Sequence, residues 1–183
     1  MLINRAADRV PQPWKNGLGV QYEITCDGSL PDDWTWRLST ADITQDVPFS
    51  IIPGVNREFC VADGNGVVLN INGVDHRCEP GSITKFRGDD KVFATLIDGP
   101  MRALNLMVRD WAEEKHLRII RAGGSIDMRG VCGIVAIAKA VKLQQIGGEV
   151  VLETLDSQVV LNSEKFIGET LCHVVEGCAV ALV

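Results

Sequence analysis

The sequence predicts an all-β fold, a sandwich or a barrel, and two observations carry that expectation. Segments in which apolar and polar residues alternate recur at roughly eight- to twelve-residue spacing, and turns built on Gly, Asn and Asp separate them. No helical periodicity alternates with these segments, which excludes a parallel α/β sheet.

Residues 1–4 read as a short strand and 7–13 as loop. In residues 20–25, Val20, Tyr22 and Ile24 oppose Gln21, Glu23 and Thr25, the pattern of a strand with one covered face. Asp27-Gly28 and Pro31-Asp32-Asp33 are turn signals before a strand at 34–43, whose alternation sets Arg37 and Ser39 on one face. Pro53-Gly54 bends the chain into a strand at 57–62, and Asp63-Gly64 with Gly66 carries a hairpin signature into 67–71. Asn72-Gly73 is a further turn before short strands at 76–79 and 83–86, and Gly88-Asp89-Asp90 closes the latter. Strands at 91–98 and 101–109, separated by Gly99-Pro100, complete the first half. Residues 111–117 fit a single helical turn or a linker, and the pattern then restarts with strands at 130–141, 143–146, 150–155, 158–162 and 170–183. Residues 71–74 have a counterpart in 146–149, and 96–100 in 174–178, as a diverged duplication would leave. The expected division is therefore 1–110, carrying the pocket, and a smaller, mainly structural 111–183.

The 183 residues carry a formal net charge of −6 with no run of Lys and Arg to offset it, which argues against a nucleic-acid partner. The first residues lack the start of a signal peptide, and the longest apolar stretch, 131–141, is broken by Gly133 and Lys139. A cytoplasmic protein with no membrane partner is the expectation. Six cysteines, Cys26, Cys60, Cys78, Cys132, Cys172 and Cys178, form no CxxC pair and read as buried thiols. There is no G-x-S-x-G, and no Ser or Cys stands in motif relation to a His, so no nucleophilic catalytic residue is assigned. Gly17-x-Gly19 and Gly64-x-Gly66 are too short, and too far from a helix start, to cradle a phosphate.

What remains is a small-molecule pocket. Pro13-Trp14-Lys15-Asn16-Gly17, with Gly19 and Glu23 behind it, breaks strand alternation and suits a ligand wall. Arg37 and Arg57 are planar forks fitted to a carboxylate, and Lys15 adds a point charge. Asn16, Ser39 and Asn105 supply further hydrogen bonds, Trp14 and Trp36 can stack on a planar ligand, and Glu23 can hold Lys15 or bind an amine. A plainer reading stands beside this one. Trp14 would plug a barrel end with Lys15 solvated, and Arg37 and Arg57 would pair at the surface with Asp42, Asp46 or Glu58.

The stretches "PWKNGLG", "WRLSTADI", "PFSIIPGVNR" and "LIDGPMRALNLMVR" resemble the HutD/Ves family of small bacterial proteins. The resemblance covers the first three-fifths of the chain. It implies two fused double-stranded β-helix barrels of the cupin, jelly-roll-like type. Matched to the family's motifs, the residues are Trp14, Lys15, Asn16, Gly17, Glu23, Trp36, Arg37, Ser39, Phe49, Pro53, Gly54, Arg57, Asn105 and Arg109. The departures are Leu18 and Val20, where glycine and threonine are common, and Ala103, where an acidic residue is common. Metal-holding cupins use closely spaced histidines. Here the histidines are His76, His116 and His173, no pair has that spacing, and neither metal nor cofactor is expected.

HutD-like proteins are associated with histidine utilisation and the Ves branch with stress response. The resemblance thus implies a non-enzymatic binding or regulatory protein for a small anionic metabolite such as urocanate or formylglutamate. Two alternatives stay open: a metal-independent isomerase or lyase using Glu23 or Lys15, and a scaffold meeting a protein partner through Trp111 and the apolar second half. Homodimerisation through open sheet edges is a further expectation.

Overall fold

The computed structural model describes residues 2–29, 33–145, 147–160 and 171–183, and their regular structure is strand apart from a 3₁₀ turn at Ala6–Asp8. The first strands are β1 (Leu2–Asn4), β2 (Pro11–Pro13), β3 (Val20–Cys26), β4 (Trp36–Ile43), β5 (Val47–Pro48) and β6 (Val55–Asp63). Next come β7 (Val67–Ile71), β8 (Val74–Cys78), β9 (Ile83–Arg87), β10 (Val92–Leu96) and β11 (Met101–Arg109). The last are β12 (Leu117–Arg121), β13 (Ser125–Asp127), β14 (Gly133–Gln145), β15 (Gly148–Leu152), β16 (Ser157–Val159) and β17 (Leu171–Leu182). No helix among the described residues is long and apolar enough to cross a membrane.

The chain forms two compact units, Val10–Lys115 and Met1–Arg9 with His116–Val183. This grouping differs from the expected 1–110 and 111–183 chiefly in the first nine residues. Strand β1 pairs with β16, Leu2 opposite Val159. Asp156 then accepts from Arg5 at 2.6 Å and from the Ala6 N–H at 2.8 Å, and Arg9 donates to the Leu155 carbonyl at 2.7 Å.

Within Val10–Lys115, two open sheets pack face to face. One runs β2-β3-β4-β11-β6-β9 and the other β5-β10-β7-β8. Their inner faces share a core of Ile43, Phe59, Val61, Met101 and Ala103 from the first and Val47, Val67, Leu69, Val92 and Ala94 from the second. These sheets do not close into the expected barrel. Pairing stops at β2 and β5, where Pro11, Pro13 and Pro48 remove donors that a continued ladder needs.

Local turn chemistry misleads once here. Strand β6 is flanked by β11 and β9, so the turn at 63–66 carries the chain between sheets instead of closing a hairpin. Asn72-Gly73 does close one, with positive φ at both residues and Ile71 opposite Val74. The stretch at 7–13 holds the 3₁₀ turn and β2 in place of a loop. Residues 111–116 form a turn and linker, not a helix.

In the other unit the sheet runs β1-β16-β14-β17-β12, with β13 on β17 and β15 on β14. Residues 133–137 and 179–182 are buried on both faces, as the sequence suggests, whereas 138–140 and 175–177 are exposed. The hairpin closing Gln145 on Gly148 parallels that closing Ile71 on Val74. Residues 174–178 lie inside β17 and do not reverse the chain as 96–100 do. Expectations at Met1, Pro31, Asp32, Ile146, Leu161, Asn162 and Thr170 fall outside the described residues.

What positions the site is the inner face of the six-stranded sheet. Across β4, β11 and β6 the register gives the rows Ala41–Ala103–Val61, Ser39–Asn105–Phe59 and Arg37–Met107–Arg57, so the face passes from apolar to polar along its length. The loop beside the polar end is fixed at Gly88, whose N–H donates to Val55 at 2.8 Å and whose carbonyl accepts from Ile52 at 2.8 Å. A Cβ on Gly88 would overlap the Ile52 carbonyl oxygen and the Val55 side chain. Gly88→Ala is expected to lower the unfolding free energy by about 2–3 kcal/mol, measured by urea titration; an unchanged midpoint would contradict this packing.

Candidate functional site

At the polar end of that face lies a cavity of ≈ 70 Å³. Strands β4, β6 and β11 contribute Arg37, Arg57, Asn105 and Met107, the loop after β5 contributes Phe49, Ser50 and Ile52, and the N-terminal strap contributes Pro13, Trp14 and Lys15. A groove of ≈ 400 Å³ shares Pro13, Lys15, Gln21 and Arg37 with it and continues past Glu23, Cys26 and Trp34.

Arg57 dominates the cavity. It is only 7% exposed. Its guanidinium carbon lies 5.3 Å from the Phe49 ring centroid and 4.8 Å from that of Phe86, so two aromatic faces hold it. It donates to Asn105 Oδ1 at 3.3 Å and, at the limit of hydrogen bonding, to the Ser50 carbonyl at 3.5 Å. Its Nε and the Ser50 Oγ are both buried with no hydrogen-bond partner. Burial, and secondarily the like charge of Arg37, push its pKa down to about 10, which leaves it a cation at neutral pH. Enclosing a charge in this way costs several kcal/mol unless an anion meets it.

The carboxylates that a surface pairing would use are engaged elsewhere. Asp42 meets Arg102 at 3.3 Å, Glu58 meets Lys85 at 2.7 Å, and Asp46 accepts from the Leu96 N–H at 2.9 Å. Arg37 lies with its guanidinium carbon 5.1 Å from the Trp34 ring, and Arg109 approaches the same ring to 4.4 Å. The indole of Trp34 is thus a platform shared by two cations.

The remaining sequence candidates separate. Trp14 and Lys15 line the cavity with Arg37, Arg57 and Asn105. Glu23 lines the adjoining groove. Ser39 is buried in register between Glu23 and Asn105 on the same face, outside the lining. Trp36 alternates to the opposite face from Arg37. Asn16 turns away into the strap, donating to the Pro48 carbonyl at 3.0 Å and accepting from the Leu18 N–H at 3.1 Å. In the groove, burial and the neighbouring Glu23 push the Cys26 thiol up, which disfavours a thiolate there. Among the described residues no three His, Cys, Asp or Glu gather as a metal site would need.

Sequence reasoning did not select Gln21, Ser50, Met107 and Trp34. Met107 shares strand parity with Asn105, and Gln21 with Glu23, so alternation carried a signal for both. Nothing local marks Ser50 or Trp34 as neighbours of an arginine. Arg57→Met, which keeps an apolar stem of similar length, is expected to raise the unfolding free energy of the ligand-free protein by about 1–3 kcal/mol. A clear loss in denaturant titration would show the guanidinium to be fully compensated from within.

Comparison with known proteins agrees with this architecture. A family model described as HutD matches residues 6–181. Over 105 residues the chain is 39% identical to an uncharacterized 21.2 kDa protein in the hutC 3′ region of Pseudomonas putida, covering 56% of this chain and 55% of that protein. It is 38% identical over 98 residues to protein Ves of Citrobacter koseri, 52% of this chain and 51% of that one. The chain spans about half the length of the curated relatives it matches. HutD from Pseudomonas fluorescens SBW25, solved in a formate condition, superposes with a TM-score of 0.79 at 28% identity over 100% of this chain and 97% of that one. A Cupin 2 conserved barrel domain protein from Leptotrichia buccalis, at 11% identity, gives a TM-score of 0.59 over 100% and 95% of the two chains, a likeness of fold. With the family model running from residue 6 to residue 181, the chain belongs to the HutD family.

Proposed function

We propose that this chain is a non-enzymatic, cytoplasmic binding protein made of two fused cupin-like units, and that it seats a small carboxylate against Arg57. The observation that carries the reading is the buried guanidinium whose Nε, together with the Ser50 hydroxyl, lacks a partner inside the cavity. An acid's two oxygens would supply both the missing acceptor and the missing counter-charge. Asn105, Arg37 and Lys15 add donors around the same space.

Size narrows the ligand further. A single water molecule needs roughly 10–15 Å³, so the ≈ 70 Å³ cavity suits a carboxylate and a few attached atoms. The body of a larger polar acid would extend along the groove beside Lys15 and Glu23. Urocanate and formylglutamate, intermediates of histidine degradation, have that form, and the family resemblance is what points to them.

Either acid is expected to raise the melting temperature saturably, by roughly 5–10 °C at a hundredfold excess over Kd. Arg57→Ala or Arg37→Ala should remove the shift. Affinity should be level between about pH 6 and pH 9 and fall as pH rises through about 10, where the depressed Arg57 loses its proton. No shift with either acid, or one that survives Arg57→Ala, counts against the reading.

A further inference from the structure

We propose that Trp14 sets which acids enter, as a movable partition between the Arg57 cavity and a larger hollow behind the indole that takes the hydrocarbon body of apolar monocarboxylates. This rests on the reading that the carboxylate sits at Arg57.

The second hollow, ≈ 260 Å³, is several times larger than the first. Trp14 and Ile43 line both, so the indole stands between them. Its walls combine Leu18, Val20, Tyr22 and Val47, which would receive a hydrocarbon body, with Asp42, Thr44 and Gln45, and they offer no cation to a second carboxylate.

The indole's seat is specific. Its ring meets Phe49 edge-on, centroids 6.0 Å apart at 83°. Its other support is Gly19, where a Cβ would come within 2.8 Å of the ring carbons. Glycine at this position is what lets the ring lie flat on the backbone. Phe49 also holds Arg57, so the partition and the cation share one aromatic ring.

The strap that carries Trp14 is held at its backbone. Strand β2 makes the pairs Pro11–Tyr22, Gln12–Gln21 and Pro13–Val20, the Trp14 N–H donates to the Gly19 carbonyl at 2.9 Å and its carbonyl accepts from the Gly17 N–H at 2.9 Å, and Asn16 donates to the Pro48 carbonyl at 3.0 Å. The indole can turn about its own side-chain bonds with these backbone bonds kept, giving up its edge-on contact with Phe49. An acid as short as acetate fits with the ring in place. An apolar acid such as cinnamate gains nothing from the polar groove beside Lys15 and Glu23, and its phenyl group reaches the hollow when the ring yields.

The test is isothermal titration of acetate and of cinnamate into the full chain, unsubstituted and as Trp14→Ala and Gly19→Ala. Trp14→Ala removes the partition and should favour cinnamate over acetate by about tenfold relative to the unsubstituted protein. Gly19→Ala keeps the indole but forces it from its seat, and should also change the acetate-to-cinnamate ratio. A ratio unchanged in both variants overturns the partition while leaving the Arg57 reading intact. Failure of that reading looks different: neither acid binds any of the three proteins, and both ideas fall together.

Discussion

The site depends on keeping one guanidinium charged where protein encloses almost all of it. Arg57 lies on the inner face of β6 beside Phe59 and Val61, where alternation would ordinarily put an apolar side chain. Two aromatic faces and an amide oxygen compensate it in part, through cation–π attraction and a hydrogen bond. What they leave unmet, a counter-charge and one acceptor, is what a carboxylate provides. The charge is therefore at once a cost to the ligand-free fold and a source of affinity, a balance common where binding groups are set in rigid elements.

The sandwich makes that arrangement rigid. Arg37, Met107 and Arg57 sit opposite one another on three neighbouring strands, so their spacing is set by the ladder and not by flexible loops. The Trp34 indole lies under Arg37 and Arg109. Beside β6, Gly88 bridges the Ser50–Ile52 segment to the strand, accepting from the Ile52 N–H and donating to the Val55 carbonyl. The strap bearing Trp14 is held by β3 on one side and by Asn16 at the Pro48 carbonyl on the other, which leaves the indole's own side-chain torsions as the adjustable part of the wall.

Much of the strand order was legible because side chains alternate strictly with the pleat. The same rule, applied consistently, would have set Trp36 apart from Arg37 and drawn in Met107 beside Asn105. The sheet to which each strand belongs was less legible. Asp63-Gly64 and Asn72-Gly73 look alike as turns, yet one crosses between sheets and the other closes a hairpin, because β6 already has partners on both edges. The joining of residues 2–4 to β16 depends on a pairing more than 150 positions apart, for which no local pattern exists. Asn16 has the chemistry of a ligand contact, but its amide is used by the strap's own backbone and by Pro48.

The central claim concerns a single nitrogen, and NMR of the arginine Nε–H groups addresses it directly. On titration with acetate at neutral pH, the Arg57 Nε–H signal, assigned through Arg57→Lys, should move saturably and further than that of any other arginine, as a buried donor gains its acceptor. If the Arg57 signal stays fixed while those of exposed arginines drift without saturating, the cavity is not an acid-binding site.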